Sequence, residues 1–162
     1  MNKGLLSVDE ALDVLLAGAR PVADIETIPT LQATGRVLAQ AQTSSMDVPP
    51  MDNAAMDGYA VRLADLSHAD TRLRVAQRIA AGAVGTPLAQ GTAARIFTGA
   101  PIPVGADAVV MQEDTQALDD ARVQVNVVPA LGQWIRRSGE DITRGSTVLS
   151  AGTRLGPAEL GL

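Results

Sequence analysis

The sequence predicts a mixed α/β, β-rich fold built around a small β-barrel or sandwich-like domain. Three observations carry this. Only the N-terminal stretch holds a sustained helical period, introduced by a capping box at Ser7-Val8-Asp9-Glu10. From Thr43 onward the apolar runs are short and punctuated by glycine and proline, the texture of many short strands. Aromatic residues make up only 2% of the chain (Tyr59, Phe97 and Trp134), so the core is built from Ala, Val, Leu and Ile.

Val8, Ala11, Leu12 and Leu15 recur at helical spacing, and the helix runs from Ser7 to about Leu16 before Gly18 and Pro21 end it. Pro29 to Thr34 reads as a helical turn closed by Gly35, and Val37 to Ala41 as a short strand or a helix end. Ser44, Ser45, Pro49 and Pro50 form a linker. Tyr59-Ala60-Val61 follows as a strand. Arg72 to Ile79 alternates, with Leu73, Val75 and Gln77 on one face. Ala93–Phe97, Ala106–Met111 and Arg122–Val128 are further strands. Gly145, Val148, Leu149, Gly152 and Leu155 suggest a hairpin. Pro157-Ala158-Glu159-Leu160 reads as the first turn of a helix with proline at its start, and the chain is expected to be part of a longer protein.

At 162 residues the chain holds one domain of ordinary size, or one domain interrupted by another. Its formal charge of −5 argues against a general nucleic-acid binder, which needs a basic footprint and stacking aromatics. A few local arginines can still oppose that field and bind a small anion. With no cysteine, disulfides, thiolate metal sites and cysteine nucleophiles are excluded. His68 is the single histidine and lies in a polar stretch, so it reads as an exposed loop residue rather than the base of a triad. Asp9, Glu10 and Asp13 interrupt any leader-like apolar region, and no run is long enough to span a bilayer. A soluble, cytoplasmic protein without a membrane partner is the expectation.

Four clusters can carry chemistry. Asp52, Asn53 and Asp57 lie within six residues; carboxylates this close suit Mg²⁺ or a polarised oxygen ligand, and Asx-turn and capping duties are the alternative. Phe97-Thr98-Gly99-Ala100-Pro101 places a hydroxyl before glycine, able to offer side-chain and backbone donors to an oxyanion, or simply to end a strand. Arg136 and Arg137, before Gly139-Glu140-Asp141, can grip an oxyanion or pair with those acids. Adjacent strand residues face opposite ways, so one arginine at most enters a given site. Gln112-Glu113-Asp114 adds acids at a strand end, either near a metal or in solvent.

Taken in order, these strings resemble the MoeA family of molybdopterin molybdenumtransferases, to which gephyrin's E domain also belongs. The matching residues are Asp47-Val48-Pro49 with Asp52 to Val61, Thr98-Gly99-Ala100-Pro101 with Pro103 and Gly105, Ala108 to Glu113, and Ile135-Arg136-Arg137 with Gly139-Glu140-Asp141-Ile142. The capping-box helix and Gly152-Thr153-Arg154-Leu155 also fit. Ser138 breaks a run of arginines typical of some relatives, so no triple-arginine grip is expected.

The resemblance implies insertion of molybdate into the dithiolene of adenylylated molybdopterin with Mg²⁺, releasing AMP and yielding molybdenum cofactor. It implies a split α/β domain, residues 1–45 plus 142–162, with residues 46–141 inserted as the β-rich domain. A pterin-binding domain and a C-terminal β-barrel would follow. A homodimer is implied, with a cleft shared between subunits, together with an adenylyltransferase that supplies the pterin substrate. Carried onto this sequence, Asp57, Thr98 and Asp141 become catalytic candidates, Asp57 and Asp141 metal ligands, and Arg136, Asp52 and Asn53 ligand contacts. The chain alone is expected to be inactive. A non-catalytic binding or dimerisation module is the alternative.

Overall fold

The computed structural model describes residues 5–20 and 22–162. They form two units, one of the described residues up to 39 with 152–162 and one of residues 40–151.

In the first unit, helix α1 (Val8–Gly18) starts as the capping box predicts. The Ser7 amide donates to Glu10 Oε2 at 2.8 Å, and the Glu10 amide donates back to Ser7 Oγ at 3.2 Å. No residue of α1 is buried, and Val8, Leu12, Leu15 and Leu16 are all at least half exposed. The apolar stripe is therefore present but uncovered within the described residues. A 3-10 turn at Thr30–Gln32 fills the helical turn expected before Gly35. Val37 bridges Arg154, and the Leu155 amide donates to the Arg36 carbonyl at 2.8 Å. Helix α2 (Pro157–Leu160) has proline at its start.

The second unit is β-rich. Its strands are β1 (Gln42–Thr43), β2 (Asn53–Ala54), β3 (Gly58–Val61), β4 (Thr71–Ile79), β5 (Thr92–Ile96), β6 (Ala108–Met111), β7 (Thr115–Leu118), β8 (Arg122–Val125), β9 (Ile135–Arg136) and β10 (Thr147–Leu149). Six of them form a curled half-barrel sheet in the order β6-β3-β5-β4-β8-β7. Its neighbours are antiparallel except β4 and β5. Both faces are packed, as period-two side-chain alternation requires. Tyr59, Val61, Ala93 and Val110 enter one cluster with Leu73, Val123 and Val125. Ala60, Ala94, Ile96 and Val109 enter another with Ile79 and Leu88.

Three expectations change. The alternation of β4 does not run straight through: a β-bulge between Val75 and Gln77 shifts the register, so Leu73 and Ile79, six residues apart, lie in different clusters. Gln77 therefore leaves the Leu73–Val75 face and fixes Thr86, accepting from its amide at 2.9 Å and donating to its carbonyl at 2.8 Å. The hairpin expected around Gly145 is absent; β10 pairs instead with β1, more than a hundred residues earlier. Finally, β7 was not expected. It pairs with β8 across a tight turn in which Asp120 and Ala121 take left-handed backbone angles (φ 70° and 57°). No described helix is long and apolar enough to cross a membrane.

Candidate functional site

The site begins at the entry to β3. Gly58 sits between two partners, opposite Ile96 of β5 and Met111 of β6. A Cβ there would lie 1.9 Å from the Val110 carbonyl oxygen, so only glycine lets the strands approach this closely. Asp57 immediately precedes it, and its carbonyl accepts from the Gln112 amide at 3.0 Å. The backbone is thus pinned on both sides of the carboxylate.

One oxygen of that carboxylate is fixed by Thr98. The Thr98 amide donates to Asp57 Oδ1 at 2.8 Å and the Thr98 hydroxyl donates to the same oxygen at 2.7 Å. These two bonds, the amide first, hold the Asp57 carboxyl below its usual range, and the Arg95 charge adds to them. The Thr98 donors therefore do meet an oxyanion, and it is the chain's own carboxylate. Asp57 Oδ2 accepts no hydrogen bond among the described residues.

Arg95 braces the same turn. Its Nη1 donates to the carbonyls of Gly58 (2.8 Å) and Ile96 (3.1 Å), and its Nη2 to Gln112 Oε1 (2.7 Å). Arg95 escaped the sequence reading as a site residue, and Gln112 entered it only as the neighbour of Glu113 and Asp114. The available signal for Arg95 was a lone charge at the fourth position of an otherwise uncharged, buried strand, Thr92-Ala93-Ala94-Arg95-Ile96.

The remaining candidates gather around β2, whose two residues pair with β9: Asn53 opposite Arg136, Ala54 opposite Ile135. On its other side β2 meets the turn after Thr98, with the Gly99 amide donating to Ala54 (2.8 Å) and the Ala54 amide to Ala100 (2.9 Å). This strand joins the Thr98 turn to the arginine segment. Asn53 is buried, and its side-chain amide donates to the Met51 carbonyl at 3.3 Å, a local turn bond. Asp52 accepts from the Ser138 amide at 2.8 Å and from Arg137 Nη1 at 2.6 Å; the amide bond, then the guanidinium, pull its carboxyl down. Arg136 Nη2 lies 2.6 Å from both oxygens of Asp141, with Glu140 at 3.8 Å from Nε. The Asp141 bond raises Arg136 further above its already high value. Each arginine is thus matched to its own acid, Arg137 reaching back to Asp52.

Asp57 and Asp141 share no hydrogen-bond partner among the described residues. Nor do the described residues contain a group of three or more His, Cys, Asp or Glu placed to hold a metal ion. His68 is exposed, as expected.

The lowered carboxyls set an acid limit. Asp52 and Asp57 have folded-state values below the unfolded value of about 3.9, so their contribution is full above that value and is lost as pH falls through the folded ones. Thermal melts of the chain from pH 6 to about pH 2 should show the midpoint falling below about pH 4. Asp52→Asn should flatten that fall; an unchanged acid limb would remove Asp52 from the account.

A family model described as MoeA N-terminal region (domain I and II) matches residues 6–162. The chain is 41% identical to the molybdopterin molybdenumtransferase of Synechococcus elongatus, an alignment covering 96% of this chain and 40% of that protein. It is 37% identical to the Haemophilus influenzae protein of the same name, covering 98% of the chain and 39% of the relative. The crystal structure of the molybdopterin biosynthesis moeA protein from Pyrococcus horikoshii superposes with a TM-score of 0.90 at 37% identity, over 98% of this chain and 43% of that one. The chain thus spans about two fifths of the length of the curated relatives it matches.

Proposed function

The chain belongs to the MoeA family, matching its N-terminal region, and we propose from that premise that it supplies part of the active site of a molybdopterin molybdenumtransferase in molybdenum cofactor biosynthesis. The reaction in this reading is insertion of molybdate into the dithiolene of adenylylated molybdopterin, with release of AMP. In this reading residues 1–39 with 152–162 form a split domain and residues 40–151 its β-rich insertion, which keeps the paired strands β1 and β10 in one unit. The protein works in the cytoplasm as a homodimer, and an adenylyltransferase delivers the pterin.

The observation that carries this reading is the Asp57–Thr98 pair. Two donors fix one oxygen of an ionised carboxylate and leave the other without a partner among the described residues. A rigid carboxylate with one open oxygen fits Mg²⁺, which takes one or two protein carboxylates and completes its shell with water and substrate oxygens. When bound, Mg²⁺ would supply positive charge to the anionic groups of the substrates. Asp57 would hold it, Thr98 would hold Asp57, and Arg95 would keep the turn in place. Asp141 fits less directly, because Arg136 already occupies both of its oxygens and would have to release them. Arg136 and Asp52 form the ligand-facing wall in this reading, their ion pairs with Asp141 and Arg137 setting its shape; Asn53, buried with its amide turned to the Met51 carbonyl, fits a supporting place behind it better than a ligand contact.

The test supplies adenylylated molybdopterin, molybdate and Mg²⁺ to the 162-residue chain and, separately, to the longer protein that contains it. The longer protein should form molybdenum cofactor and the chain alone should not. Turnover by the chain alone would overturn the shared site, and none by the longer protein would overturn the assignment.

A second reading rests on α1, whose apolar stripe is uncovered. Such a face favours an association module with its chemistry elsewhere. Sedimentation of the chain, paired with Mg²⁺-dependent molybdate binding with and without Asp57, separates the two. Self-association with no ligand dependence on Asp57 would favour the module.

A further inference from the structure

Asp57-Gly58 is the one aspartate–glycine pair in the sequence, and no asparagine precedes a glycine. A glycine after aspartate leaves the following amide nitrogen unshielded, so the side-chain carboxyl carbon can close onto it. We propose that the Asp57–Gly58 bond is a modification site, at which the main chain isomerises to isoaspartate when β3 opens locally, and that Thr98 is the latch that keeps it intact in the fold. The inference stands apart from the family reading and involves neither metal nor substrate.

The step balances with water alone. The Gly58 nitrogen attacks Asp57 Cγ, an N–C bond forms, and one carboxylate oxygen leaves as water, taking the amide proton and one proton from solvent. Water then adds to either carbonyl of the five-membered succinimide ring. Opening at the Asp57 main-chain carbonyl leaves the chain running through Cβ and Cγ, with the α-carboxylate as the new side group. Nothing is oxidised or reduced, and the mass of the product equals that of the starting chain.

The fold opposes each part of that path. The carboxyl must swing onto the Gly58 nitrogen, yet Thr98 holds its Oδ1 with an amide at 2.8 Å and a hydroxyl at 2.7 Å. The main chain must turn to meet it, yet it is held on both sides of the bond. The Gln112 amide donates to the Asp57 carbonyl at 3.0 Å, and Arg95 Nη1 donates to the Gly58 carbonyl at 2.8 Å. The product has no room either. Isomerisation adds one carbon to the main chain where β3 runs between β5 and β6, and there even a Cβ on Gly58 would lie 1.9 Å from the Val110 carbonyl oxygen.

Thr98 is exposed and Asp57 only half-buried, so the protection comes from geometry rather than from a dry interior. Isomerisation in the folded chain therefore follows the population of the locally opened state. Of the four bonds, the Thr98 hydroxyl bond is the one a substitution can delete while leaving backbone donors and packing in place. Arg95, by contrast, also lies against the rings of Tyr59 and Phe97.

Ageing the 162-residue chain at neutral pH tests this, with isoaspartate counted by an isoaspartyl methyltransferase and located by fragmentation mass spectrometry of the Asp57 peptide. The chain unfolded in urea gives the unlatched rate, and the folded chain should isomerise at Asp57 at least about a hundredfold more slowly. Thr98→Val should raise the folded rate about tenfold, through the loss of one charge-assisted bond. Thr98→Ser keeps the hydroxyl and should stay near the wild-type rate. Thr71→Val, which removes a hydroxyl bonded to the His68 carbonyl at 2.7 Å, should leave the rate unchanged. No isoaspartate at Asp57 in the unfolded chain would overturn the site. A folded rate equal to the unfolded one, a wild-type rate in Thr98→Val, or equal acceleration by Thr71→Val would overturn the latch.

Discussion

Asp57→Ala in the longer protein should abolish molybdate insertion while the protein keeps its fold. The reason lies in how much of the local structure converges on one carboxylate. Thr98 gives Asp57 Oδ1 both an amide and a hydroxyl donor, and Gln112 holds the aspartate carbonyl. None of these partners is an apolar core group, so removing the carboxylate frees two exposed donors that water can satisfy. The stability cost is accordingly small.

The cost to activity is large. A preorganised charge at a reacting centre commonly contributes a rate factor on the order of a hundred to a thousand. Asp57→Asn is the sharper variant, because its amide oxygen can still accept from Thr98 while the negative charge is gone. If the charge matters, Asn should behave like Ala in molybdenum incorporated per protein. Thr98→Val should fall between wild type and Asp57→Asn, since it removes the hydroxyl bond and keeps the amide one. Wild-type rates in Asp57→Asn would show that the carboxylate serves the turn alone.

The same pairing shows what the sequence makes legible. Asp57 and Thr98 lie 41 residues apart and meet because each ends an element next to a glycine: Asp57 before Gly58 at the entry of β3, Thr98 before Gly99 at the exit of β5. The family resemblance implied that both line one cleft, and antiparallel pairing of β3 with β5 brings them together. The capping box at Ser7 was equally legible, because its physics is local.

What could not be read is non-local. Strands β2 and β9 hold two residues each, too few for any period, and exist because Asn53 and Ala54 find Ile135 and Arg136 eighty residues away. The β4 bulge hides for a different reason. Leu73, Val75, Gln77 and Ile79 continue an unbroken alternation on paper, and the extra residue becomes visible only through its partner strand. The sequence lets Arg137 either grip an oxyanion or pair with the acids beside it. It reaches Asp52 instead, because β2 lies alongside β9.

Gly58→Ala is the second substitution with a large expected effect, and it acts through packing. The added Cβ would lie 1.9 Å from the Val110 carbonyl oxygen, 2.8 Å from its carbonyl carbon and 3.0 Å from the Met111 Cα. All three are backbone atoms of β6, so no side chain can rotate away. Relief requires β3 and β6 to separate, which would break the pairing of Tyr59 with Val110 and Ala60 with Val109. Those residues lie in the two packed clusters of the sheet, so separation exposes both faces. A loss of roughly 3 kcal/mol or more is expected, the upper range for overpacking. Urea unfolding of the chain checks it against two controls. Gly18→Ala meets nothing within 4 Å and should be neutral or slightly stabilising. Gly85→Ala meets the Ile79 Cδ1 at 2.4 Å, the movable end of a side chain, and should cost less than Gly58→Ala. An unfolding midpoint for Gly58→Ala equal to wild type would mean that β3 and β6 can separate cheaply. The backbone that aims Asp57 would then be far less fixed than its bonds to Thr98 and Gln112 imply.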